Sequence, residues 1–97
     1  MPPTAEPHHA TRVASLLHKR GGAHLRARKY GTAVIVESGP AADPVKHIRL
    51  RRDTVHLWCL DVAHHTGRWE RTPFRASLDD LVRTVLDDFA WTLTPIA

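Results

Sequence analysis

Ser77-Leu78-Asp79-Asp80-Leu81-Val82-Arg83-Thr84-Val85-Leu86-Asp87-Asp88-Phe89 is the stretch on which the fold turns. Leu78, Leu81, Val82, Val85, Leu86 and Phe89 recur at i, i+3, i+4, i+7, i+8 and i+11. That is the apolar stripe of one α-helix. Ser77 with Asp80 reads as a capping-box-like start, Asp standing where Glu is the better residue. Asp87 and Asp88 oppose the C-terminal dipole, a local misfit. Such a stripe needs an apolar surface to lie on, and the residues before it predict a sheet.

Working upstream, Trp69–Phe74 predicts a short edge strand ended by Pro73, which cannot donate to a ladder. Ala63–Arg68, with Gly67, reads as a turn. Val55–Val62 is the most apolar strand, with Val55, Leu57 and Cys59 on one face and His56, Trp58, Leu60 and Val62 on the other. Arg52-Asp53-Thr54 reads as a tight turn. In Val45–Arg51, Ile48 and Leu50 alternate with His47, Arg49 and Arg51, the apolar pair inward. Ser38–Pro44 is a loop, and Thr32–Glu37 is β-branched and strand-like. In Ala23–Lys29, Leu25 and Ala27 alternate with His24, Arg26 and Arg28. Gly31 is either a hairpin turn or a bulge in one bent strand. The sheet therefore has four or five strands.

A first helix is predicted over Pro7–Arg20, on the stripe Ala10, Val13, Ala14 and Leu17, with Gly21-Gly22 as its stop. Residues 1–6 read as a flexible N-terminus, and residues 7–97 as a single domain. The fold class is α+β: an N-terminal helix, a four- to five-stranded antiparallel meander and a C-terminal helix, both helices on one sheet face.

Ninety-seven residues leave room for one core and no second domain with its own cleft. The single cysteine, Cys59, excludes an internal disulfide and a four-cysteine zinc site. Met1–Ala10 lacks the apolar core of a signal peptide, and no apolar run has transmembrane length, so a cytoplasmic chain with no membrane partner is expected. Arginine outnumbers lysine and alanine is abundant, which points to a GC-rich bacterial genome. The formal charge of +4 divides into +6 over residues 1–60 and −2 over residues 61–97. That asymmetry implies an anionic partner, or self-association of a basic half against an acidic half.

Two surfaces follow from the alternation. If the apolar residues face the helices, the other sheet face presents His24, Arg26, Arg28, His47, Arg49 and Arg51 on strands about 5 Å apart. His56 and Trp58 are candidates to join them. A basic sheet with aromatics is one way single-stranded nucleic acid is held; a plain solvated face is the other reading. The large aromatics Trp58, Trp69, Phe74 and Trp91 fall near edges or ends, where they read as core or as contacts with a protein partner or a second copy. The edge strand could also pair with a partner's strand.

Catalysis and metal binding find little support. Cys59, Asp61 and one of His64 and His65 would make a zinc set, but none of these ligands has helical i, i+4 or C-x-x-C spacing. Cys59 on an apolar strand reads as a small hydrophobe, and Ser77 as a helix cap. Asp79/Asp80 and Asp87/Asp88 are helical neighbours that point apart. No glycine-rich phosphate loop is present. No catalytic residue, metal or cofactor is expected. The helix–strands–helix order invites comparison with the double-stranded-RNA-binding domain, but Ser77-Leu78-Asp79-Asp80 is acidic where that family needs a basic cluster.

Residues 12–93 carry a different likeness. The helix Arg12–Arg20 precedes a basic strand, Val34-Ile35-Val36-Glu37 is followed closely by Pro40, and a strand pair around Ile48–Trp58 leads to Trp69. The last helix closes with Asp87-Asp88-Phe89-Ala90-Trp91. This order resembles a family of small bacterial proteins, the domain of unknown function numbered 3024. The sequence departs from it in lacking a glycine after the last tryptophan, in the spacing of Phe89 and Trp91, and in lacking a central-strand tyrosine. The resemblance implies the architecture and no activity. The expectation from residues and resemblance together is a non-enzymatic binding or accessory protein acting through protein contact, with nucleic-acid binding on the Arg/His face as the alternative.

Overall fold

The computed structural model describes residues 3–64 and 66–93, the side chain of residue 91 excepted. Helix α1 (Pro7–Lys19) leads into β1 (Arg26–Tyr30), β2 (Ala33–Ser38), β3 (Val45–Arg52), β4 (Trp58–Ala63) and β5 (Trp69–Ala76). Helix α2 (Leu78–Asp88) and a 3-10 turn (Ala90–Leu93) follow. The strands form one antiparallel meander in the order β1-β2-β3-β4-β5. This is the expected α+β architecture.

Each end of α1 is closed by a local device. Glu6 caps its start, and the Glu6 N–H donates to His9 Nδ1 at 2.9 Å. At the other end the Gly22 N–H reaches the Leu17 carbonyl at 2.9 Å and the Gly21 N–H the His18 carbonyl at 3.3 Å. These are the two bonds of a Schellman closure, and Gly21 supplies the left-handed φ of +88°. For α2, the Asp80 N–H donates to Ser77 Oγ, as the capping reading requires.

Gly31 is a turn. Tyr30 pairs with Ala33, leaving Gly31-Thr32 as a two-residue loop. Gly31 has φ +60° and, among the described residues, none other than glycine has positive φ, which is the type II′ pattern. The sheet thus has five strands.

Two irregularities shift the register. Val36 faces Ile48 while Glu37 faces Lys46, so His47 is an extra residue on β3. On β5, Cys59 pairs with Arg75 and Asp61 with Arg71, leaving Thr72, Pro73 and Phe74 opposite Leu60. Pro73 has no N–H to give, and the Thr72 hydroxyl donates to the Leu60 carbonyl at 2.8 Å in place of a ladder bond. β4 begins at Trp58 rather than Val55, because Asp53 and Thr54 N–H groups both turn to the Leu57 carbonyl and leave Val55 exposed.

Both helices cover one sheet face. The core joins Val13 and Leu17 of α1 and Leu81, Val82 and Val85 of α2 to Val34, Val36, Ile48, Leu50, Trp58 and Leu60 of the sheet. Residues 4–6, expected to be a flexible end, are docked: Ala5 is fully buried, its N–H donates to Gly31, and Arg52 donates to the Thr4 carbonyl. The helices are further tied by ion pairs, Arg12–Asp79 at 2.7 Å and Arg20–Asp87 at 2.9 Å. The second explains the misfit at the end of α2. Asp87 opposes the helix dipole but answers an arginine at the end of α1. Part of the charge asymmetry along the chain is thus neutralised within the chain.

Candidate anion-binding sheet face

The helix-free face is built in cross-strand rows. One row runs Arg28, Ile35, Arg49, Asp61, Arg71, and the next runs Tyr30, Ala33, Arg51, Cys59, Arg75. Arg26 and Lys46 flank Glu37 in a third. The II′ turn at Gly31 sets the phase that puts the β1 arginines in line with those of β3. Of the sequence-predicted set, Arg26, Arg28, Arg49 and Arg51 are therefore brought together on one face.

Their like charges are kept apart by two carboxylates. Asp61 is fully buried between two arginines: Arg49 Nε donates to Oδ2 at 2.9 Å, and Arg51 donates to the same oxygen and, at 3.2 Å, to Oδ1. The hydrogen bond to Asp61 raises the Arg51 pKa above its ordinary value. Arg28 Nε donates to Glu37 Oε1 at 2.7 Å, and Glu37 Oε2 is buried with no partner among the described residues. At the rim Arg75 pairs with Asp53 at 2.6 Å.

This arrangement leaves donors in surplus. Arg49 and Arg28 are each pinned through Nε, so their terminal nitrogens have no acceptor among the described residues. Arg71, Arg68 and Lys46 have no ion pair there. A guanidinium fixed by one edge and open on the other is pre-oriented for a bidentate oxyanion such as phosphate. Two arginines also lie over aromatic rings: Arg49 sits 4.9 Å from the Trp69 centroid and Arg28 5.5 Å from that of Tyr30. Tyr30 is 66% exposed.

Several sequence-predicted site residues lie elsewhere. His47 is a correction. The bulge turns it to the helix side, where it is buried against Ser38 and the Thr92 carbonyl. His56 sits exposed in the loop before β4 and joins no row. Trp58 is neither a stacking platform nor an interface residue; it is 2% exposed in the core, because alternation aligns it with Leu60. Phe74 packs edge-to-face on Phe89, centroids 5.1 Å apart, on the helix side, and remains 37% exposed. Trp69 is half-buried on the arginine face. The Trp91 side chain and His65 lie outside the described residues. Among the described residues no group of three His, Cys, Asp or Glu could hold a metal ion, and Asp61 is spent on arginines. Cys59 lies on the helix-free face between Arg51 and Arg75, while His56 stands apart in its loop.

Sequence reasoning missed several members of the face, among them Asp61 as its organising acid, Arg71 and Tyr30. A carboxylate inside the most apolar strand was the signal for the first. Alternation onward from Trp69 marked the second.

His47 gives the fold a pH dependence. The Thr92 carbonyl can only accept, so Nδ1–H donates to it at 2.9 Å and Nε2 accepts from the Ser38 hydroxyl at 2.7 Å; the ring is neutral. Burial lowers the His47 pKa below its ordinary 6.5, and nearby His24 adds to this, against the Thr92 carbonyl. His9 is lowered as well, by burial first and then by His8 and Arg52. The unfolded chain then takes up protons first as pH falls. Stability is fully present above about pH 6.5 and declines as pH drops through the lower folded values. The urea midpoint is expected to fall between pH 7.5 and 5.5, and less so in His47→Gln. Equal pH dependence in both proteins would remove His47 as a cause.

No protein-family model, no curated protein and no solved structure matches this chain. Among the described residues no helix is long and apolar enough to cross a membrane. The fold and the face together define a class, an antiparallel sheet with helices on one side and an arginine-rich platform on the other.

Proposed function

We propose that this chain is a non-enzymatic binding module that holds single-stranded nucleic acid across the helix-free face of its sheet. One observation carries the reading: Arg28 and Arg49 are anchored through Nε to carboxylates within the face, which leaves their terminal nitrogens for an outside anion. The carboxylates of the face are already engaged, and its cations outnumber them. Two copies laid face to face would set these surplus cations against each other, which argues against self-association here. An acidic protein surface would meet the same cations. The arginine–aromatic stacks at Trp69 and Tyr30 favour nucleic acid, since bases stack on such rings and phosphates take the guanidinium edges.

Fluorescence anisotropy with a labelled oligothymidylate tests it. About four phosphate contacts on a single strand give a log–log salt slope near −3, or roughly a 50-fold loss of affinity between 50 and 200 mM salt. The double variant Arg28→Ala/Arg49→Ala should lose about half of that slope. No retention of oligonucleotide at 50 mM salt would end the proposal.

A further inference from the structure

The chain ends of three strands meet at one end of the sheet and enclose a groove of about 330 Å³. Pro44, Val45 and Lys46 at the start of β3 form one wall, and Gly67, Arg68 and Trp69 at the start of β5 form the other. The volume is at the lower end of what small-molecule sites use, about 300–1,000 Å³.

Its chemistry is specific. Lys46 and Arg68 are exposed, and neither has an ion pair or hydrogen-bonded side chain among the described residues. Trp69 lines the groove and carries the Arg49 guanidinium on its ring, 4.9 Å from the centroid. Pro44 and Val45 supply apolar surface across from it. The neighbouring carboxylate, Glu70, is met by His64 at 3.4 Å. An aromatic ring beside two uncommitted cations fits a ligand with a flat ring at one end and an anion at the other.

We infer that this groove takes one nucleotide, its base against Trp69 and its phosphate on Lys46 and Arg68. The inference rests on the nucleic-acid reading and adds to it a defined subsite next to the Arg49 row, where a strand crossing the face would place a terminal unit. Trp69 is then a contact for a base rather than for a protein partner.

The test uses the full chain and adenosine 5′-monophosphate, titrated by calorimetry and by tryptophan fluorescence. Saturable binding is expected, with quenching that disappears in Trp69→Phe. Lys46→Ala/Arg68→Ala should weaken binding by about ten- to a hundredfold, the weight of hydrogen bonds to a charged group. Adenosine, which lacks the phosphate, should bind weakly in every variant. The native chain and both variants should give the same far-ultraviolet circular dichroism, because these side chains lie outside the core. The subsite is overturned if oligothymidylate binds the native chain while the mononucleotide does not, or if the Lys46/Arg68 variant binds it undiminished. Mononucleotide binding without oligonucleotide binding would keep the subsite and overturn the sheet-face reading. An anion site with no base recognition would show as inorganic phosphate competing while Trp69→Phe binds as tightly as the parent, and that too overturns the inference.

Discussion

Replacing Trp58 by alanine is expected to lower the unfolding free energy by about 3–5 kcal/mol, the usual cost of deleting a large buried aromatic. A domain of this length has only about 5–15 kcal/mol in total, so the variant should be partly unfolded at physiological temperature. Trp58 opens β4, yet it is 2% exposed and belongs to the same core as Leu60 and Leu81. His9 of α1 meets its ring edge-on at 4.9 Å, and the Arg52 guanidinium lies 5.7 Å from its centroid. Loss of this ring opens a void beneath both the first helix and the end of β3, where backbone cannot collapse to fill it. Urea denaturation at neutral pH reads the effect. A loss below about 1 kcal/mol, with a changed mass in solution, would instead mean that Trp58 serves an interface.

Asp61→Ala should be the second most damaging change, at about 2–3 kcal/mol. Removing one partner of a buried ion pair typically costs about 3–5 kcal/mol, because the other charge is left without its counterion. Here the arginine side chains are 25% and 28% exposed, so water can recover part of the loss. Asp61→Asn, which keeps an acceptor, should fall between the parent and alanine. The same substitution frees Arg49 and Arg51 from their fixed orientation. Oligonucleotide affinity should then fall even though the face has lost a negative charge, and that sign separates pre-orientation from simple attraction. Tighter binding in Asp61→Asn would mean that net charge alone governs the face.

The two periodicities explain which parts of this fold could be foreseen. A helix of the Leu78–Phe89 kind declares itself through six apolar positions in phase, and α2 follows that stripe to within one residue. Alternation in Val45–Arg51 likewise separates Ile48 and Leu50 from Arg49 and Arg51. It fails at His47 because a bulge adds one residue and reverses the face of everything before it, and nothing in Lys46-His47-Ile48 announces the insertion. The face of Arg26 and Arg28 depended on how Gly31 was used. A bulge would have kept one long strand; the II′ turn made a hairpin and lined Arg28 up with Arg49. Trp58 shows the opposite error. Its alternation with Leu60 and Val62 was legible, but an aromatic on a strand beside the arginines also read as a stacking platform for the basic face. Ala5 was concealed for a different reason, since a proline-rich start carries no pattern that tells a docked segment from a frayed one.

The irregularity around Pro73 has an effect beyond its own strand. An outer strand with a free row of N–H and C=O groups is a template onto which further chains can add without limit. β5 interrupts that row with a residue that has no N–H and with a bend, and β1 at the far side carries Arg26, Arg28 and Lys29. β5 offers an incoming strand no unbroken partner, and β1 meets it with positive charge. The bend between Arg71 and Arg75 thus also blunts the outer border of the sheet against edge-to-edge addition.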